Sequence, residues 1–77
     1  MKDYLKRIEV NHKVMVGKPV IKGTRVTVEA IIERVKNGLT FEEILQDFPN
    51  IKKNDIKAAL EYAESLVKGE QLIPAIR

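Results

Sequence analysis

The sequence contains no cysteine and only one histidine, His12. The lack of cysteine excludes disulfide bonds, thiolate zinc sites and thiol catalysis, and one histidine excludes any site that needs two imidazoles. Aromatic residues make up 5% of the 77 residues, and tryptophan is absent. A core of this size rarely supplies more than about 3–5 kcal/mol, so we expect support from a second chain, in a homodimer.

Long apolar runs are also missing from the sequence. No stretch approaches the roughly 18 apolar residues that a membrane-spanning helix needs. The first seven residues, Met-Lys-Asp-Tyr-Leu-Lys-Arg, lack the apolar segment of a secretion signal. The sequence therefore predicts a cytoplasmic protein that does not associate with membranes.

The sequence offers few candidates for catalysis. Four glutamates fall on the exposed sides of predicted helices: Glu29, Glu33, Glu42 and Glu43. His12 falls in a predicted turn, and Ser65 has no evident base to activate it. A pocket that excludes water is also hard to build from so short a chain. We therefore predict a protein that is not an enzyme and that binds no cofactor or metal.

Positive charge is concentrated near the N-terminus. Residues 1–25 carry seven basic and two acidic side chains, whereas residues 26–77 carry seven basic and nine acidic ones. A basic region on a small domain is typical of binding to an anionic partner, usually a nucleic acid, but it is equally compatible with a solubilising surface.

We expect one domain over residues 1–77, with a β-hairpin arm over 1–26, three helices over 27–68 and a tail over 69–77. β-Branched residues recur through the arm, and apolar and polar residues alternate over 8–10 and 13–16. Gly17-Lys18-Pro19 interrupts this pattern with residues typical of turns. The tail is apolar, and its Leu72, Ile73 and Ile76 are candidates for binding a partner protein.

The helical period begins after Thr27, which is a candidate cap for the first helix. Thr40 and Glu43 have the spacing of a capping box at the start of a second, short helix that Pro49 ends. The third helix is predicted from about Lys53 to Lys68. The predicted core consists of apolar residues at helical spacing: Ile31, Ile32, Val35, Ile44, Leu45, Phe48, Ile56, Leu60 and Ala63.

Three short helices with a tight turn before the third fit a mainly α, three-helix helix-turn-helix (homeodomain-like) bundle with a short N-terminal β-hairpin. In that fold the start of the third helix would meet DNA through Lys52, Lys53, Asn54 and Lys57. Lysines suit phosphate or guanine, and asparagine suits adenine. Arg25 could contact phosphate, or it could form an internal ion pair with Asp47 or Asp55.

An ordered set of short motifs runs through the chain. The first motif is Gly17-x-Pro19-x-Ile21-x-Gly23-Thr24-Arg25-Val26-x-Val28. It is followed by Ile31-Ile32, Gly38, Glu42-Glu43-Ile44-Leu45 and Phe48-Pro49-x-Ile51. The last motif is Asp55-Ile56-x-Ala58-Ala59-Leu60-x-Tyr62-Ala63. With these motifs the chain resembles the domain of unknown function 433 (DUF433) family, over roughly residues 8–63. This chain departs from the family pattern at two positions. Relatives commonly carry threonine at the cap of the third helix, where this chain has Lys52. They often carry proline after Arg-Val or Arg-Ile, where this chain has Thr27.

The resemblance implies a dimeric helix-turn-helix protein similar to VapB-type antitoxins. Such a protein would bind and neutralise a PIN-like ribonuclease toxin and would also bind operator DNA. Two alternatives stay open: a free-standing DNA-binding transcriptional regulator, and a protein-interaction module that does not bind DNA.

Overall fold

Each of the three α-helices begins where a side-chain oxygen accepts a hydrogen bond from a backbone N–H group at the helix N-terminus. A computed structural model describes residues 3–69. The chain forms a 3₁₀ helix (Asp3–Lys6), strand β1 (Ile8–Glu9), a second 3₁₀ turn (Met15–Gly17), strand β2 (Val20–Ile21) and helices α1 (Val28–Lys36), α2 (Phe41–Asp47) and α3 (Lys53–Lys68). The mainly α composition with a short hairpin agrees with the sequence prediction. None of the helices in this part of the chain is long and apolar enough to cross a membrane.

The predicted caps of α1 and α2 are confirmed. The Thr27 hydroxyl accepts a hydrogen bond from the Ala30 N–H at 3.0 Å. At α2 the Thr40 hydroxyl accepts from the Glu43 N–H at 3.2 Å, and the Glu43 carboxylate accepts from the Thr40 N–H at 2.8 Å. These reciprocal bonds complete a capping box, so local sequence alone fixes where α2 begins.

Helix α3 begins differently, because Lys52 at its N-cap has no oxygen in its side chain and makes no side-chain cap hydrogen bond. Asp55, in the first turn, instead accepts the Lys52 N–H through Oδ2 at 2.8 Å. Its other oxygen, Oδ1, accepts from Nη1 of Arg7 at 2.9 Å. The carboxylate therefore both begins α3 and attaches the N-terminal segment to it.

The hairpin is shorter than the sequence predicts. The strands β1 and β2 pair antiparallel, with Ile8 opposite Ile21 and Glu9 opposite Val20. The alternation over residues 13–16 wrongly predicts a strand, since Met15 and Val16 adopt φ angles of +50° and +58° in the left-handed region. Such a backbone cannot continue a strand, and it leaves the Val16 side chain 90% exposed.

The core lies where the three helices meet β2. Its buried residues come from all of these elements and from the segments between them: Ile21, Val26, Val28, Ile31, Ile44, Ile51, Ile56 and Ala59. The predicted core residues Ile31, Ile44 and Ile56 are completely buried. Val35, Leu45, Phe48 and Leu60 pack against the cluster and are partly buried.

Two of the predicted core residues do not lie in this cluster. Ile32 is 37% exposed, and Ala63 is only partly buried. Successive helical residues are separated by about 100° around the axis, so a helix that points Ile31 into the core turns Ile32 toward its edge.

We expect Asp55→Asn to destabilise the fold by about 2 kcal/mol, because the amide would turn a donor toward the Arg7 guanidinium while it keeps only one acceptor. The matched control is Asp47→Asn, which removes the charge of an exposed carboxylate paired with Arg34 at 2.9 Å. That change should cost less than about 1 kcal/mol. Thermal unfolding followed by circular dichroism measures both, and equal losses would contradict the role assigned to Asp55.

We expect Thr40→Ala to cost about 1 kcal/mol, since it removes the acceptor for the Glu43 N–H. In a domain of this size that loss lowers the melting temperature by about 4–8 °C. Thr40→Ser keeps the hydroxyl and should retain most of the stability. A serine variant as unstable as the alanine variant would show that loss of the cap hydrogen bond does not cause the loss of stability.

Candidate nucleic-acid interface

The start of α3 presents a cluster of exposed polar side chains. The four residues that sequence analysis assigns to DNA contact are all exposed: Lys52, Lys53, Asn54 and Lys57. They surround Asp55, whose side chain turns inward and is 11% exposed. Residues 52–57 therefore present three cations to solvent, while their only carboxylate is held by Arg7 and the Lys52 N–H.

The lysines at the start of α3 lack the ion-pair partners that three other cations of the protein have. Lys18, Arg34 and Lys68 form ion pairs with Glu29, Asp47 and Glu64 respectively. Within residues 3–69, by contrast, no carboxylate pairs with any lysine at the start of α3. Their charge is therefore available to an anionic partner.

Arg25 is also exposed and forms neither of the internal ion pairs considered from the sequence. Asp47 pairs with Arg34, and Asp55 pairs with Arg7, so both carboxylates are occupied by other arginines. Arg34 also lies over the Phe48 ring at 4.4 Å from its centroid, a cation–π contact that further orients its guanidinium.

Arg25 instead lines a shallow groove of about 460 Å³ that also includes Asn50 and the Gly23–Thr24 turn. The turn is closed by the Thr24 hydroxyl, which donates to the Ile21 carbonyl at 2.8 Å. Asn50 lies two residues before Lys52, so the fold brings Arg25 beside the segment that leads into α3.

A second groove, of about 600 Å³, lies between the N-terminal segment and α3. We call it the basic groove. Lys6 and Arg7 line one side, and Asn54, Lys57 and Glu61 line the other, with Tyr4 and Ala58 between them. Tyr4 is 3% exposed and meets Tyr62 edge to face, with ring centroids 6.4 Å apart. This aromatic contact and the Arg7–Asp55 ion pair hold the N-terminal segment against α3.

Sequence reasoning did not assign Lys6 or Arg7 to the interface. The only signal was the excess of positive charge over residues 1–25, which does not show where those side chains lie in space. The basic groove joins two of them to Asn54 and Lys57, about 50 residues later in the chain. The partner-binding candidates Leu72, Ile73 and Ile76 lie outside the described residues.

Relatives of this chain have been identified by sequence and by structure. A protein of Archaeoglobus fulgidus described as "Uncharacterized protein" is 58% identical over 33 residues, which cover 43% of this chain and 89% of that protein. The crystal structure of a DUF433 member protein from Anabaena variabilis superposes with a TM-score of 0.73 at 25% identity. That superposition covers 82% of this chain, which spans 66% of the length of the Anabaena chain.

The family assignment rests on a match over most of the chain. The profile described as "Protein of unknown function (DUF433)" matches residues 8–63, which include β1, β2, α1, α2 and the first two thirds of α3. The ordered motifs, from Gly17 to Ala63, lie within this range. The chain belongs to the DUF433 family of proteins of unknown function.

Proposed function

We propose that this protein is an antitoxin that binds operator DNA and neutralises a PIN-like ribonuclease, and that it acts as a homodimer. The observation that carries the DNA-binding part is the exposed cationic turn at the start of α3. Three lysines without ion-pair partners in the described chain lie within the six residues 52–57, which is a high density of free positive charge. Because phosphate neutralisation supplies most of the non-specific affinity for DNA, such a turn suits this role.

In this proposal α2 and α3 act as a helix-turn-helix, homeodomain-like unit with α3 as the recognition helix. Phe48 to Lys52 connect the two helices, and the buried Ile51 anchors the connection in the core. Lys52 and Lys53 would contact phosphates, and Asn54 could read an adenine edge. Arg25, on the neighbouring groove, would add a further phosphate contact.

The antitoxin part of the proposal concerns the other end of α3. Leu66 and Val67 are exposed there, Val67 to 89%, and the apolar sequence of the tail begins five residues later, at Leu72. Exposed apolar residues at the end of a helix are typical of a protein-binding surface. We therefore propose that the end of α3 and the tail residues Leu72, Ile73 and Ile76 bind the nuclease.

We expect the triple change of Lys52, Lys53 and Lys57 to Glu to abolish retardation of a duplex taken from upstream of the protein's own gene. Each lost phosphate contact should lower the slope of log affinity against log salt concentration by about one unit. The matched control changes three other exposed lysines to Glu: Lys13, Lys22 and Lys36. It has the same net charge but should still retard the duplex. If the two triple variants retarded the duplex equally, binding would depend on net charge and not on the lysines at the start of α3.

We expect the change of Leu72, Ile73 and Ile76 to Asp in the full chain to abolish co-purification with the tagged product of the neighbouring gene. DNA retardation should be unchanged, since the α3 start is intact. The control is Val16→Asp, which introduces an acidic residue at an exposed apolar position in the loop before β2. A tail variant that still recovers the nuclease would exclude the tail as the contact.

The wild-type chain separates the alternatives. If it binds DNA but not the product of the neighbouring gene, the free-standing regulator is favoured. If it binds that product but not DNA, the pure interaction module is favoured.

A further inference from the structure

The basic groove contains an arginine that the fold holds in a fixed direction. Arg7 donates through Nη1 to Asp55, and its side chain is 40% exposed. A guanidinium has five N–H donors, and this hydrogen bond uses one of them. No other acceptor within residues 3–69 is hydrogen-bonded to the Arg7 side chain, so the remaining donors face the groove and the solvent.

The ion pair fixes the direction of the Arg7 guanidinium, while Asp55 offsets part of its positive charge. Asp55 is almost buried and already accepts the Lys52 N–H, so it acts as a fixed support for the guanidinium. A planar group oriented in advance loses less side-chain entropy when it forms a bidentate contact. Arg7 is thus an oriented, partly exposed guanidinium, an arrangement that suits bidentate binding of phosphate oxygens.

The other side chains of the groove are consistent with an anionic ligand. Lys6 and Lys57 are exposed on opposite sides of the groove, and neither pairs with a carboxylate in the described chain. The Asn54 amide supplies a further donor. Glu61 is the only carboxylate among the lining side chains, which carry three positive charges and one negative charge. Asp55, which pairs with Arg7, adds a second negative charge, so the balance remains positive.

We propose that the basic groove binds the phosphodiester backbone of the DNA strand next to the start of α3, with Arg7 as the bidentate phosphate ligand and Lys6 and Lys57 as flanking cations. This inference rests on the proposed DNA-binding function and adds a second contact region to it. The backbone lies between the N-terminal 3₁₀ helix and α3, while Lys52 and Lys53 contact the duplex from the helix start. A groove open at the surface accommodates a continuing strand.

Fluorescence anisotropy with a labelled mixed-sequence duplex at several salt concentrations tests this arrangement. The variants are Lys6→Glu and Lys6→Gln in the groove, Lys53→Glu at the helix start outside the groove lining, and Lys36→Glu at the end of α1 as the charge-matched control. We expect Lys6→Glu and Lys6→Gln each to lower the salt slope by about one unit, and Lys36→Glu to leave it unchanged.

A second variant, Arg7→Lys, separates geometry from charge. It keeps the positive charge but loses the fork that binds two phosphate oxygens at once, so affinity should fall by about tenfold at constant salt slope. Thermal unfolding of each variant, done in parallel, identifies any loss that comes from a partly unfolded chain, and affinities are compared below the melting temperature of the least stable variant.

The outcomes separate the inference from the proposed function. If Lys53→Glu weakens binding and both Lys6 variants bind like the wild type, the helix start binds DNA and the groove inference is wrong. If the Lys6 variants weaken binding and Lys53→Glu does not, the groove is the contact and the proposed helix-start contact is wrong. A wild-type chain that does not bind the duplex overturns both.

Discussion

The structure depends on the carboxylate of Asp55, which divides its two oxygens between two parts of the chain. Oδ2 accepts the Lys52 N–H at the start of α3, and Oδ1 holds Arg7, 48 residues earlier. In a small domain with a limited core, few contacts connect distant segments, so one buried polar link of this kind has a large structural effect. It determines both where the third helix begins and where the N-terminal segment lies.

The same link explains how a scattered set of charges forms one surface. Lys6 and Arg7 are adjacent in sequence to the hairpin, whereas Asn54 and Lys57 belong to α3. The Arg7–Asp55 pair and the edge-to-face contact of Tyr4 with Tyr62 hold the two segments together, and the basic groove lies between them. The groove is therefore a consequence of packing. Asp55 holds Arg7 in it, whereas Lys6 and Lys57 have no carboxylate partner within residues 3–69.

The sequence predicted those parts of the fold that local chemistry determines. The capping box of Thr40 and Glu43, the cap at Thr27 and the bounds of α3 need only neighbouring residues to form, and each was predicted correctly. Ile32 was wrongly assigned to the core. The periodicity of apolar residues shows how wide the apolar face of a helix is, but it does not show which edge of that face packs against the other helices. The strand expected over 13–16 failed because alternation does not reveal a left-handed backbone at Met15 and Val16.

For the candidate site, the sequence alone was enough to show which residue types are present and that Lys52, Lys53, Asn54 and Lys57 lie within six residues at the start of α3. Only the tertiary structure decided which charges are free. Arg34 forms an ion pair with Asp47, and Arg7 forms one with Asp55, so Arg25 pairs with neither carboxylate. Ion pairing between distant residues depends on distances of a few ångströms that the whole fold sets, and no local pattern encodes them. The apposition of Lys6 and Arg7 with α3 was decided in the same way.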